Sequence, residues 1–296
     1  MTFSLDSFID ENFLKNLEKL RIVTKKGKKG PERGEHKSWQ SGEGLEFLDY
    51  RKYQVGDDLR YVDWSVYGRL DKLFIKLFHA EEDQTVHLLL DMSRSMGSGT
   101  LPKAISAKKI AAAISYISLS NLDKVSLMAF SDKIVDLRPL LRGKRKYAEV
   151  LHFLLHLTPS DKTAVNPCLS EYASISKYPG IIIVISDLFD PKGYQDGLKA
   201  LIYRNFDVNL IQVLDHEELF WSKTGTLMLR DVETGEKKVT FLDPALLERY
   251  HQKVAAFLAT VRSFCSDYGI NYYVYDTSIP FEEFLVDYVT KGTIFR

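Results

Sequence analysis

An apolar run that ends in an acid and two hydroxyls, Val86-His-Leu-Leu-Leu-Asp91-Met-Ser93-Arg-Ser95-Met-Gly97, constrains this chain more than any other stretch. So short a run with so few polar residues reads as a buried strand of a parallel sheet. A loop leaving such a strand in near-extended form points residues i, i+2 and i+4 the same way, so Asp91, Ser93 and Ser95 aim three oxygens at one point. One carboxylate and two hydroxyls make part of a site for a hard cation. Mg²⁺, which accepts few protein ligands and keeps some of its waters, suits that set better than Ca²⁺, which collects more charge. The same residues also describe a turn whose Ser or Asp caps the next helix. Their place at the carboxyl end of a strand, where open α/β sheets put their ligands, favours the cation site.

The rest of the chain supports such a sheet. From about Thr85 onward, strand-like runs at Thr85 to Leu90, Lys124 to Ser131, Gly180 to Ser186, Asp207 to Leu214 and Asn271 to Tyr275 alternate with helical patterns, and Ile134 to Leu137 reads as an antiparallel edge. Pro102 opens a helix whose Ala107, Ile110, Ala111, Ile114 and Ile117 recur at helical spacing. Further helices are expected near Tyr147 to Leu157, Pro167 to Ser176, Tyr194 to Arg204 and Phe281 to Val289. Asp243 with Pro244 caps a long helix that Gly269 closes, with Leu247, Tyr250, Val254, Phe257, Val261 and Phe264 as its buried stripe. Alternation on either side of Glu233-Thr-Gly-Glu236 predicts a hairpin inserted near residues 227–241. The fold class is α/β: a doubly wound, mostly parallel sheet over residues 85–296, preceded by a small β-containing unit within residues 1–84.

That first part is different in kind. Asp6 to Leu20 has an amphipathic helical pattern, and residues 19–37 carry eight Lys or Arg against Glu32 and Glu35. Such a basic loop reads first as a solvated connector, with phosphates or peripheral contact with an anionic membrane surface as the alternative. No aromatic residues interleave with its charges for base stacking, and forty basic residues balance forty acidic ones over the chain, so nucleic acid is not an expected partner. Beyond it, Gly42-Glu-Gly-Leu-Glu46-Phe-Leu-Asp49-Tyr50-Arg51 and Gly56-Asp57-Asp58-Leu-Arg60-Tyr-Val-Asp63-Trp64 mix acids, arginines and aromatics. Two readings fit: a buried ion-pair network under Trp64, or a partner surface. Cys168 and Cys265 show no paired spacing, which argues against disulfides and zinc and for a reducing compartment, with the cytoplasm the expected location. No apolar run is long enough to span a bilayer, and acids interrupt Met1 to Leu20 where a signal peptide carries its hydrophobic core.

Gly-x-Gly-x-Glu-Phe and Gly-Asp-Asp-x-Arg with Asp-Trp, ahead of Leu-Leu-Leu-Asp-x-Ser-x-Ser-Met, resemble the prokaryotic domain-of-unknown-function 58 family, whose core is similar to a von Willebrand factor type A domain. The likeness extends to Leu229-Arg-Asp-Val-Glu-Thr-Gly-Glu and to Pro280-Phe-Glu-Glu-Phe-Leu. It implies a metal-ion-dependent adhesion site in which Asp91, Ser93 and Ser95 form the first loop, Thr163 in Asp-Lys-Thr-Ala-Val-Asn-Pro the second and Asp187 in Ile-Ser-Asp-Leu the third. The resemblance further implies Mg²⁺ or Mn²⁺ as the ion, and as partners a MoxR-type AAA+ ATPase and other type A domain proteins, in systems that mature or activate target complexes. Some relatives carry amino-terminal membrane helices, and no such segment is present in this sequence.

An enzyme reading competes. An Asp ending a first parallel strand, a hydroxyl on a second loop and a later Asp also describe Mg²⁺-dependent haloacid-dehalogenase-type phosphatases, with Asp91 as nucleophile. Those enzymes need an acid two residues later to protonate the leaving group, and Ser93 stands there. No Gly-x-Ser-x-Gly elbow, phosphate loop or His-Glu-x-x-His is present, and His216 beside Glu217 and Glu218 is the single histidine that invites a check for metal. The expectation is therefore a metal-dependent protein-interaction module and not an enzyme.

Overall fold

The computed structural model describes residues 46–79, 84–99, 102–231 and 235–291. The amphipathic segment and basic loop expected before residue 46 lie outside the described residues. The described chain divides into two compact units, residues 46–79 and 84–291.

In the first unit, β1 (Glu46–Lys52) pairs antiparallel with β2 (Phe74–His79), and helix α1 (Trp64–Leu70) stands between them in sequence. Asp63 organises it. Its Oδ1 accepts the backbone N–H groups of Ser65 and Val66, capping α1, while Tyr50 donates its hydroxyl to Oδ2 at 2.8 Å. The buried ion-pair network expected under Trp64 is not formed. Asp57 pairs with Arg51 at 2.8 Å, half-buried, and Asp58 with Arg60 at 2.6 Å at the surface, as two separate pairs, and Trp64 is 59% exposed. The physical reason is size: a two-stranded ribbon and a helix of seven residues have too little apolar surface to cover four charged side chains.

The second unit contains, in order, β3 (Thr85–Asp91), α2 (Lys103–Ser120), β4 (Lys124–Phe130), β5 (Ile134–Arg142), α3 (Tyr147–His156), α4 (Val165–Ile175), β6 (Ile181–Ser186), α5 (Gln195–Tyr203) and β7 (Asp207–Leu214). A short helix α6 (His216–Leu219), a hairpin of β8 (Gly225–Arg230) and β9 (Lys237–Leu242), helix α7 (Pro244–Asp267), β10 (Asn271–Asp276) and α8 (Phe281–Lys291) complete it. Six strands form one sheet in the order β10-β7-β6-β3-β4-β5, parallel throughout except for β5. Among the described residues the hairpin pairs only with itself.

Alternation along the central strands divides two cores. Val86, Leu88 and Leu90 of β3 face α2 together with Val125, Leu127 and Ala129 of β4. Leu89, with Met128, Ile182 and Val184, faces α4, α5 and α7. Helix α2 is buried on almost every side between the sheet, α3 and α8, which accounts for its run of alanines: they let neighbouring backbones approach closely. Two expectations need correction. Helix α4 begins at Val165, not Pro167, because Asp190 Oδ2 accepts the Val165 N–H at 2.8 Å and fixes its first turn. Of the stripe expected along α7, only Val261 is fully buried, joined by Cys265; toward the amino end Tyr250 is 37% exposed.

Candidate metal centre

The carboxyl ends of β3 and β6 are neighbours in the sheet, with Leu90 in register with Ile185. That register puts Asp91 beside Ser186. Ser186 donates its hydroxyl to Asp91 Oδ2 at 2.6 Å and accepts the N–H of Leu188 at 2.9 Å, while Asp91 Oδ1 accepts the N–H of Ser93 at 2.8 Å. Leu188, at φ 62°, is in the left-handed region, a conformation disfavoured for a leucine that turns the chain sharply after Asp187. Beyond Asp91, the first loop makes a 3₁₀ turn at Arg94–Gly97, and the hydroxyls of Ser93 and Ser95 meet at 3.1 Å.

The second loop is stitched to the first by backbone bonds. Ser160 donates to the Met92 carbonyl at 2.9 Å and Arg94 to that of Asp161 at 3.0 Å, while Ala164 donates to Ser131 just past β4 at 2.9 Å. Thr163 is thereby held, 8% exposed, between the first loop and the end of β4. Asp187 lies at the end of β6 with no exposed surface. All five residues singled out in the sequence gather at one edge of the sheet. His216 does not join them: its Nδ1 contacts Asp276 at 2.8 Å on the surface.

Burial sets the electrostatics of the site. Loss of solvent first, and the charge of Asp187 second, push the Asp91 carboxyl up to about 7, against the hydrogen bonds from Ser186 and Ser93 that favour its ionised form. Asp187 has a cation already. The ammonium of Lys103, on the first turn of α2 and with a fully buried side chain, donates to Asp187 Oδ2 at 2.8 Å and to Glu218 Oε1 at 2.6 Å, and lies 4.9 Å from the Phe189 ring centre. Burial works against the Lys103 charge, but the two carboxylates outweigh it and hold its pKa above the ordinary lysine value. Burial raises Glu218, and the ammonium pulls it part of the way back. Three carboxylates thus face one ammonium, and Asp91 is the one without a cation among the described residues. Buried carboxylates are stable when paired or bound to a metal, so the deficit of positive charge fits a divalent ion. The donors present are hydroxyl and carboxylate oxygens, a set that would suit a hard cation and not zinc, and among the described residues no group of three His, Cys, Asp or Glu side chains is placed to hold a metal.

The family described as Protein of unknown function DUF58 matches residues 49–259. The chain belongs to that family. An uncharacterized protein of Mycobacterium tuberculosis is 26% identical to this DUF58 chain over 238 residues, covering 78% of this chain and 70% of the relative, and one of Mycobacterium bovis matches equally. Solved structures with a similar fold include the conserved hypothetical protein BatB of Bacteroides thetaiotaomicron, 17% identical over 70% of this chain and 98% of that one, at a TM-score of 0.44. The pilus adhesin SpaC of Lactobacillus rhamnosus is 12% identical over 72% of this chain and 30% of its own, at 0.45. Among the described residues of this DUF58 chain, no helix is long and apolar enough to cross a membrane.

Three residues of the site escaped the sequence reading: Ser186, Lys103 and Glu218. For Lys103 a signal existed. It lies four, seven, eight and eleven residues before Ala107, Ile110, Ala111 and Ile114, on the same stripe, which marks a lysine facing the core. Ser186 directly precedes Asp187, and no local pattern separates it from an ordinary strand end. Glu218 is recognisable only as the third residue of a capping box begun by Asp215.

Proposed function

We propose that this chain is a non-enzymatic module that docks to an acidic group on a partner protein through Mg²⁺ or Mn²⁺ held by Asp91, Ser93, Ser95, Thr163 and Asp187. The observation that carries the reading is Asp91, a carboxylate with no exposed surface and no cationic neighbour among the described residues, beside two hydroxyls 3.1 Å apart. Once bound, the ion supplies a coordination position for an external carboxylate, because so few charged protein ligands reach it. Ser186 and the Ser93 N–H fix the orientation of Asp91, and Lys103 keeps Asp187 neutralised before any ion arrives. The partner implied by the family resemblance is a MoxR-type AAA+ ATPase, with other type A domain proteins next.

Thermal melting in rising Mg²⁺ or Mn²⁺, run beside capture of a purified MoxR-type ATPase with and without EDTA, tests the reading. Melting should rise with either ion at millimolar concentration, and Asp91→Asn should fold and lose that rise. Capture should require metal and weaken in Ser93→Ala and Thr163→Ala. Hydrolysis of p-nitrophenyl phosphate that disappears in Asp91→Asn, together with capture indifferent to EDTA, would replace the module by a phosphatase.

A further inference from the structure

A groove of about 720 Å³ opens beside Gly99, four residues beyond Ser95, between the second strand of the hairpin and the amino-terminal half of α7. Its walls are apolar: Leu242, Leu246, Leu247 and Tyr250. Two independent features mark it as a surface made to be covered. The stripe of α7 is amphipathic along its whole length, yet the fully buried residues lie in its carboxyl half; in the amino half Tyr250 donates its hydroxyl to the Glu218 carbonyl at 2.6 Å, while Tyr250 and Leu246 stay more than a third exposed among the described residues. The hairpin also turns Thr240 and Leu242 toward the groove, while Val239 and Phe241 on its other face are about two-thirds exposed.

The charges in the groove select the occupant. Its acids are engaged at home: Glu217 binds Lys223 at 2.6 Å, Glu218 binds Lys103 at 2.6 Å, and Asp215 caps α6. Its cations are not. Arg249 and Lys253, one helical turn apart on α7 and both exposed, make no ion pair among the described residues. We propose that this groove binds an apolar segment of a partner protein that carries carboxylates, the apolar side chains seated on Leu242, Leu247 and Tyr250 and the acids on Arg249 and Lys253. The inference stands on the groove alone and does not require the cation at Asp91.

Fluorescence polarisation in EDTA, which removes any metal contribution, tests it with two matched sets of labelled amphipathic peptides, one built from Leu, Phe and Glu and the other with Lys in place of Glu. The Glu set should bind at least about tenfold more tightly. Arg249→Glu combined with Lys253→Glu, both at the surface, should invert the preference, and Leu247→Asp should weaken both sets while the melting temperature stays that of a folded chain. Equal binding of the two sets, or a preference that survives the charge reversal, overturns the proposal. So does a concentration-dependent dimer in the wild type that Leu247→Asp dissolves, since the groove would then close on a second copy.

Discussion

The Asp91 loop and the Gly56–Trp64 segment have similar chemistry in sequence, acids beside hydroxyls or arginines, and opposite fates in the fold. At the end of β3, Asp91, Asp187 and Lys103 are wholly buried, so each charge depends on its neighbours. In the small unit, Arg60 is 81% exposed, and its pair with Asp58 exchanges one solvated arrangement for another. Charge becomes consequential through burial, not through motif.

The largest test of that contrast is Lys103→Met. Removing the ammonium leaves Asp187 and Glu218 buried without their cation and should cost about 3–5 kcal/mol in denaturant unfolding. A loss as small as that of Arg60→Met would break the comparison.

The next test uses His87, buried in the second core with its Nδ1 2.7 Å from the Tyr172 hydroxyl. Burial lowers its pKa from 6.5 to about 4. Between those values the unfolded chain takes up a proton that the folded chain refuses, so stability is full above pH 6.5 and falls as pH drops toward 4. That loss is about 3 kcal/mol. Comparing wild type with His87→Leu isolates it, since the other titrating groups are common to both. Parallel stability profiles for the two proteins would show that the ring is hydrated.

A smaller effect belongs to Asp63, a buried acid of the small unit. Asp63→Ala removes the cap of α1 and the acceptor of Tyr50, and should weaken residues 46–79 by about 1–2 kcal/mol, read as faster amide exchange in α1. The smallest is Arg60→Met, for which the melting temperature should not move. A clear drop would mean that a partner or another part of the chain covers the pair.

Much of the fold was legible because the signals that set it are local. Alternation and helical spacing are properties of neighbouring residues, so each strand of the large sheet could be read from its own run, as could the Pro102 and Asp243 helix starts and the hairpin. The three loops of the candidate site were legible through resemblance, and Asp91, Ser93 and Ser95 also through their spacing at a strand end. The ion-pair network under Trp64 was misread because acids, arginines and aromatics have the same composition whether they are covered or solvated.

The sequence by itself determined the order of the elements, the face each presents, and the positions of the oxygens that gather at the end of β3. Only the tertiary structure decided which charges lose their water. Lys103 reaches Asp187 across 84 residues and Ser186 reaches Asp91 across 95, both brought together by parallel strand order. It also decided that the apolar stripe of α7 is fully buried only in its carboxyl half. Burial is set by what packs on a side chain from elsewhere in the chain, and no local pattern carries that information.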